Sequence, residues 1–286
     1  MTGLSGLPTR RDERRWSLPG PASLGTVPEL PTVVATRYVT PLREGGSLPG
    51  IVEADDLGTY VLKFRGAGQG PKVLVAEVVV GELARALGLS VPRLAVVDLQ
   101  APIAKYEADE EVQDLLTASI GPNLGIDFLP GSFGYDGQVA AGDSVGAKVL
   151  WLDAFTANVD RSWRNPNLLV WHGDLWVIDH GASLYFHHGW GGGALLKEGA
   201  PERFADQPWN PDDHVLLAHT AGLPAVDAEL TGLLSADVFT EVLAEVPDEW
   251  LEPVPGADTP EAVRAAYVAF LTARLGADQW LPGAGG

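Results

Sequence analysis

The rhythm of apolar and polar positions changes along the chain. Residues 1 to about 32 carry no periodic apolar pattern and are rich in Pro, Gly, Ser and Arg, so they read as a mobile arm. From Thr32 short runs of β-forming residues take over. Val33–Leu42, Ile51–Ala54 and Thr59–Phe64 predict three strands, separated by the loop Arg43–Gly50 and a turn over Asp55–Gly58. A Gly-rich connection, Gly66–Pro71, leads into Val73–Leu87, a helix that Gly88 is placed to cap, and Val91–Leu99 returns to strand. Asn123–Asp136 reads as an irregular connection. Ser144–Ala157 predicts a helix with Val145, Val149, Leu152 and Phe155 as its apolar positions. Further helices are predicted over Asp212–Ala221, Ser235–Ala244 with Ser235 as N-cap, and Pro260–Leu275.

Strands with one helix, followed by a helix-rich half, predict an α+β protein of two unequal lobes with a cleft between them. The small antiparallel β-rich lobe with its one helix is expected over residues 33–125. A connection over 126–136 leads to a larger helical lobe over 137–278, with flexible ends at 1–32 and 279–286.

Composition narrows the function classes. With 46% hydrophobic and 20% charged residues the chain reads as a globular protein, and no apolar run reaches the ~18–20 residues of a membrane span. Arg10, Arg11, Arg14 and Arg15 are not followed by an apolar stretch, so no secretory signal is expected and the cytoplasm is the expected location. The absence of cysteine excludes disulfides, thiolate metal sites and cysteine nucleophiles. A net charge of −19 opposes direct binding of nucleic acid, which needs cationic patches. Lysine occurs only at Lys63, Lys72, Lys105, Lys148 and Lys197, so a lysine inside an apolar strand draws notice.

The chemistry concentrates between Asn158 and Gly181. Leu168–Trp171 and Leu175–Ile178 predict a β-hairpin around a Gly173-Asp174 turn, which brings Asn167 near Asp179 and His180. A strict two-residue turn there sets Asn167 opposite His180, and one more turn residue aligns it with Asp179. Asn and Asp supply hard oxygen ligands of the kind Mg²⁺ takes together with phosphate oxygens. Asp160, in the loop before the hairpin, is placed to accept a proton from an incoming hydroxyl. Base, amide ligand and carboxylate ligand in this order are parts that phosphoryl transfer needs. Taken singly, each is equally well an ordinary turn or strand-end residue.

Two charges in the first half supply an independent test. Lys63 lies in the strand Val61-Leu62-Lys63-Phe64 and Glu77 within the apolar run Val73–Val80. Burying either charge alone is costly, and pairing them is the natural remedy. A strand cation that holds ATP phosphates, oriented by a helix carboxylate, is what a phosphotransferase site requires. Gly45, Gly46 and Ser47 lie between two strands, as a flexible cover over phosphates does. The alternative loop, Gly66–Gly70, lacks the G-x-G-x-x-G spacing of a dinucleotide site.

Asn158-Val159-Asp160, the Asn five residues after that Asp, and Ile178-Asp179-His180-Gly181 together resemble the HipA-like kinases. The run from Glu77 through Leu87-Gly88-Leu89-Ser90-Val91-Pro92 resembles that family's helix and following strand. The resemblance covers about Val33 to Ala182 and implies a bilobal protein-kinase-like fold. It implies ATP and Mg²⁺ as cofactors, Lys63 on the ATP phosphates with Glu77 as its partner, Asp160 as catalytic base and Asp179 as metal ligand. For the amide ligand, Asn165 has the usual spacing and Asn167 the usual place before an apolar strand; Asn167 is favoured. Larger members carry an additional N-terminal subdomain, so a short form is expected here. The implied reaction is transfer of the γ-phosphate to a hydroxyl of a protein Ser/Thr or a small molecule. A catalytically silent nucleotide-binding regulator and nucleotidyl transfer are the alternatives. No membrane partner is expected.

Overall fold

The structure is a computed structural model, and it describes residues 29–42, 48–139, 141–192 and 200–282. The chain is a mixed α/β protein. Its first part is a five-stranded closed barrel of β1 (Thr32–Pro41), β2 (Gly50–Ala54), β3 (Thr59–Lys63), β4 (Leu94–Leu99) and β5 (Gly121–Asp127), joined in the order β1-β2-β3-β5-β4. Most neighbours are antiparallel. Closure comes from a parallel pairing of β1 with β4, Thr32 opposite Val96 through Val34 opposite Asp98. The expected antiparallel lobe is thus corrected to a barrel of mixed sense, and Gly121–Asp127 is a strand where an irregular connection was expected at its end.

Period-two alternation orients the key strand. Leu62 and Phe64 are buried in the barrel interior with Val52, Val97 and Leu99, so Lys63 between them points to the opposite face. That face is covered by α1 (Lys72–Ala86), whose residues Leu74 to Ala84 are all buried, Glu77 included. Gly88 takes a left-handed φ of 77° just beyond the helix end, as a C-terminal cap requires. A 3₁₀ turn over Ala101–Tyr106 and the helix α2 (Glu110–Ala118) also belong to this part, so it holds more than one helix. Asp109 caps α2, and Val112 and Leu116 close one end of the barrel core.

The second part is built on α3 (Asp143–Thr156), buried along most of its length. A small sheet, β6 (Phe133–Gly134), β7 (Leu168–Trp171) and β8 (Asp174–Val177), is followed by 3₁₀ turns and by α4 (Ala200–Ala205), α5 (Leu223–Leu233), α6 (Ala236–Ala244) and α7 (Pro260–Leu275). Ser235 and Thr259 accept backbone N–H bonds at the starts of α6 and α7. The helix expected over Asp212–Ala221 is instead a turn and a 3₁₀ segment, Leu217–Gly222; Pro224 then starts α5.

Two residues expected to lie in the flexible end segments are instead held in the fold. Leu30, assigned to the arm, is buried and its N–H donates to Glu245 Oε2 at 2.6 Å. Trp280, assigned to the flexible tail, is 2% exposed, packs on Trp151 and Phe155 with ring centroids 5.2 and 5.5 Å away, and donates to the Arg274 carbonyl. Its one polar atom is satisfied, so the whole ring can be core. Among the described residues no helix is long and apolar enough to cross a membrane. Trp280→Ala is expected to cost about 3–5 kcal/mol of stability. Urea unfolding checks this, and a loss typical of a frayed terminus would refute the packing.

Candidate functional site

The hairpin that carries the site turns one residue earlier than expected. His172 and Gly173 have φ of 53° and 89°, the left-handed pair of a type I′ turn, and Trp171 pairs with Asp174. Leu168 therefore sits opposite Val177, and the Ile178 N–H donates to the Asn167 carbonyl at 3.1 Å. Asn167 thus faces Ile178, and Asp179 follows just beyond the paired strands. The turn moved because Gly173 is the residue best suited to the second left-handed position, leaving Asp174 free to begin β8.

The loop between α3 and the hairpin is organised by buried charge. Asp153 on α3 is fully buried and receives Arg161 Nε at 2.5 Å, Arg161 Nη2 at 3.3 Å, Asn158 Nδ2 at 2.9 Å and the His214 ring at 2.9 Å. Burial alone pushes this carboxyl up, but the Arg161 guanidinium and the His214 bond override it and hold it well below the usual carboxylate range. Arg161 Nη1 donates to the carbonyls of Asn167 and Ile178, the two strand ends. Arg161 is thus an internal strut, with no exposed side-chain surface.

Around this strut the loop residues take set places. Asn158 Oδ1 accepts the Asp160 N–H at 3.0 Å, and Asp160 itself is exposed. Ser162 and Asn165 exchange backbone bonds of 3.0 and 3.1 Å, closing a tight turn that returns Asn165 to Asp160. Asn165 Nδ2 donates to Asp160 Oδ2 at 2.9 Å, while Asn167 Nδ2 donates to the Asp160 carbonyl at 2.5 Å. Asn165 is exposed and Asn167 buried.

Across from the loop stands Lys63. Its ammonium donates to Glu77 Oε1, and to Asp179 Oδ1 at 2.7 Å. One ammonium thus joins the barrel, α1 and the end of the hairpin. Burial works to lower the Lys63 pKa, but Glu77 and Asp179 outweigh it and keep the group charged. Burial pushes the Glu77 carboxyl up, although Lys63 and the His180 N–H oppose this. Asp179 goes the other way: burial would raise it, yet Lys63 holds it below the usual range. Its side chain is 47% exposed, so the edge away from Lys63 faces open space. Gly181 lets this packing close, since a Cβ there would lie 2.6 Å from Val73 Cγ1 and 3.1 Å from Glu77 Oε1.

Asn167 and Asp179 have φ of 49° and 54°. Asn and Asp tolerate this region better than other non-glycine residues, and such conformations gather at functional sites. His180 is buried, and burial followed by the Arg161 charge depresses its pKa to about 3, so its ring is neutral. Gly45, Gly46 and Ser47 lie outside the described residues. Among the described residues no group of three or more His, Cys, Asp and Glu is arranged to hold a metal. Asp153 and His214 escaped the sequence reading; the one available signal was a carboxylate amid the apolar residues of α3.

The family model described as HipA-like kinase matches residues 36–188, a span that holds the barrel except the start of β1, together with α1, α3 and the hairpin. A search of curated proteins finds no match. Among solved structures the chain is similar to the Helicobacter pylori proinflammatory kinase CtkA. The TM-score is 0.43 and the identity 10%, over 86% of this chain and 94% of that one.

Asp153→Asn leaves Arg161 buried without its counter-charge, and a loss of about 3–5 kcal/mol is expected in urea unfolding at neutral pH. The carboxyl is depressed in the folded state, so its contribution is complete above the unfolded value of about 4 and fades as the pH falls below it. Acidification is therefore expected to destabilise the wild type more steeply than the variant. Parallel stability curves would remove Asp153 from the account.

Proposed function

The chain belongs to the HipA-like kinase family, and we propose that it is an ATP- and Mg²⁺-dependent phosphotransferase acting on a hydroxyl of a protein Ser/Thr or a small molecule. The observation that carries the reading is the Lys63 ammonium held between Glu77 and Asp179. It places a charged donor from the barrel against a carboxylate at the end of the hairpin, with Asp160 in the neighbouring loop. The arrangement supports a bilobal protein-kinase-like architecture, with residues 33–125 as the smaller lobe, 126–136 as the connection and 137–278 as the larger.

Each residue then has a chemical task. Lys63 donates to the ATP phosphates, and Glu77 keeps it charged and aimed. Asp160 accepts the proton of the acceptor hydroxyl as its oxygen bonds to the γ-phosphorus; the bond from that phosphorus to the β–γ bridging oxygen breaks and ADP leaves with the electron pair. The bond from Asn165 steadies the Asp160 carboxylate for this task. Asp179, with its open edge, and Asn167, whose Nδ2 is engaged and whose Oδ1 is left for a cation, are hard oxygen donors suited to Mg²⁺. When bound, Mg²⁺ neutralises charge on the phosphate oxygens.

ATP labelled separately at the γ and α positions tests the reading. Transfer of γ label is expected, reduced about 10²–10⁴-fold by Asp160→Ala and comparably by Asp179→Ala. Full γ transfer by both variants would overturn the residue assignment. Transfer of α label would make the protein a nucleotidyltransferase. ATP binding with no transfer would make it a nucleotide-binding regulator.

A further inference from the structure

A cavity of about 260 Å³ opens beside the loop that carries Asp160. It is lined by the aliphatic residues Ala157, Val159 and Pro208, the aromatic residues Tyr185 and Trp209, and the polar residues Asn210 and Asp213. The cavity is tied to the loop directly, because Trp209 Nε1 donates to the Asn158 carbonyl at 2.6 Å and Asn158 in turn accepts the Asp160 N–H. Val159, next to Asp160, is 72% exposed, an apolar side chain turned outward beside that carboxylate-bearing residue. None of the residues lining the cavity has a task in the proposed phosphotransfer.

Size and chemistry select the occupant. Pockets that enclose drug-sized ligands measure roughly 300–1,000 Å³, so this one suits a single side chain better than a second nucleotide. Its walls are aromatic and aliphatic, and Asp213 has no side-chain partner among the described residues. Aromatic faces beside a carboxylate attract a cation on a carbon stem, through cation–π and charge-assisted contacts together. The chain's net charge of −19 acts in the same direction and against an acidic guest.

The geometry points to an acceptor-recognition site for a protein segment that carries a basic side chain, Arg or Lys, close in sequence to the hydroxyl that receives the phosphate. The basic side chain enters the cavity over Trp209 and Tyr185 toward Asp213, and the hydroxyl is thereby presented at Asp160. This inference rests on the proposed phosphotransferase reading and names its substrate class.

The test uses the full chain and labelled Ser-containing peptides in which Arg occupies each neighbouring position in turn, matched with peptides carrying neutral citrulline instead. Binding is read by fluorescence anisotropy and reaction by transfer of the γ label. At the best position Arg is expected to bind and react about tenfold better than citrulline. Asp213→Asn is expected to bring that ratio close to one and Asp213→Lys to invert it; Asp213 is exposed, so both variants are expected to fold. An Arg-to-citrulline ratio unaffected by either variant, with transfer intact, would overturn the cavity's assignment and leave the kinase reading standing. Asp213-dependent binding with no transfer would do the reverse. Inert peptides together with phosphorylation of a small amino alcohol would overturn the protein-acceptor class.

Discussion

The arrangement around the site depends on one buried guanidinium. Arg161 has no exposed side-chain surface, and it spends its donors on both oxygens of Asp153 and on the carbonyls of Asn167 and Ile178. A buried cation without those partners would be strongly destabilising. The end of α3, the loop and both ends of the hairpin must therefore converge on it together. A planar fork can satisfy four acceptors held in fixed directions, whereas a lysine ammonium on a flexible stem cannot reproduce that geometry. Placing Asp160, Asn165 and Asn167 is thus a consequence of satisfying a charge none of them touches with its own side-chain oxygen.

The same constraint explains why unusual backbone is tolerated here. Ala157, Asn167 and Asp179 all have φ near +50°, and for Ala157 nothing in the side chain compensates. Strain of this sort persists only where the surroundings over-determine the conformation. Around Ala157 they do: its N–H returns to the Ala154 carbonyl, and the next N–H, of Asn158, returns to the Asp153 carbonyl. The helix end is thereby closed on the very turn that presents Asp153 to Arg161. Asn167 and Asp179 are held from the other side, where the Arg161 clamp joins the strand ends that precede and follow them.

How far the sequence disclosed this follows from which signals are local. Pro260–Leu275 and the Ser235 cap were legible because their signals lie within one helical turn of the residues concerned. Lys63 and Glu77 were legible because a charge inside an apolar run demands a partner, wherever that partner lies. Helix α2 was not, since only Val112 and Leu116 of its nine residues are buried and the apolar pattern is correspondingly faint. The parallel closure of β1 on β4 is a non-local pairing that neither strand's own residues announce. The role of Arg161 was not legible for a related reason: an arginine in a polar loop carries no local sign of burial, and only the fold brings Asp153 beneath it. Trp280 follows a helix end in a stretch rich in Gly and Pro, so its burial is likewise a tertiary fact.

On the proposed reading, the charge at the centre also constrains how a nucleotide enters. Lys63 brings one formal positive charge, and Glu77, Asp160 and Asp179 bring three formal negative ones, within a chain whose own net charge is −19. A bare triphosphate meets repulsion there, and a cation accompanying the phosphates reverses it. An ammonium has three donors, of which Glu77 and Asp179 take two. One donor is left for a phosphate oxygen, already charged and already aimed by the carboxylates on either side. Glu77, buried, faces only the ammonium's side of the site; Asp179, half exposed, can turn its open edge to the cation. On the proposed reading the two carboxylates flanking Lys63 therefore divide the work by their burial, one orienting the ammonium and the other receiving the cation that accompanies the phosphates.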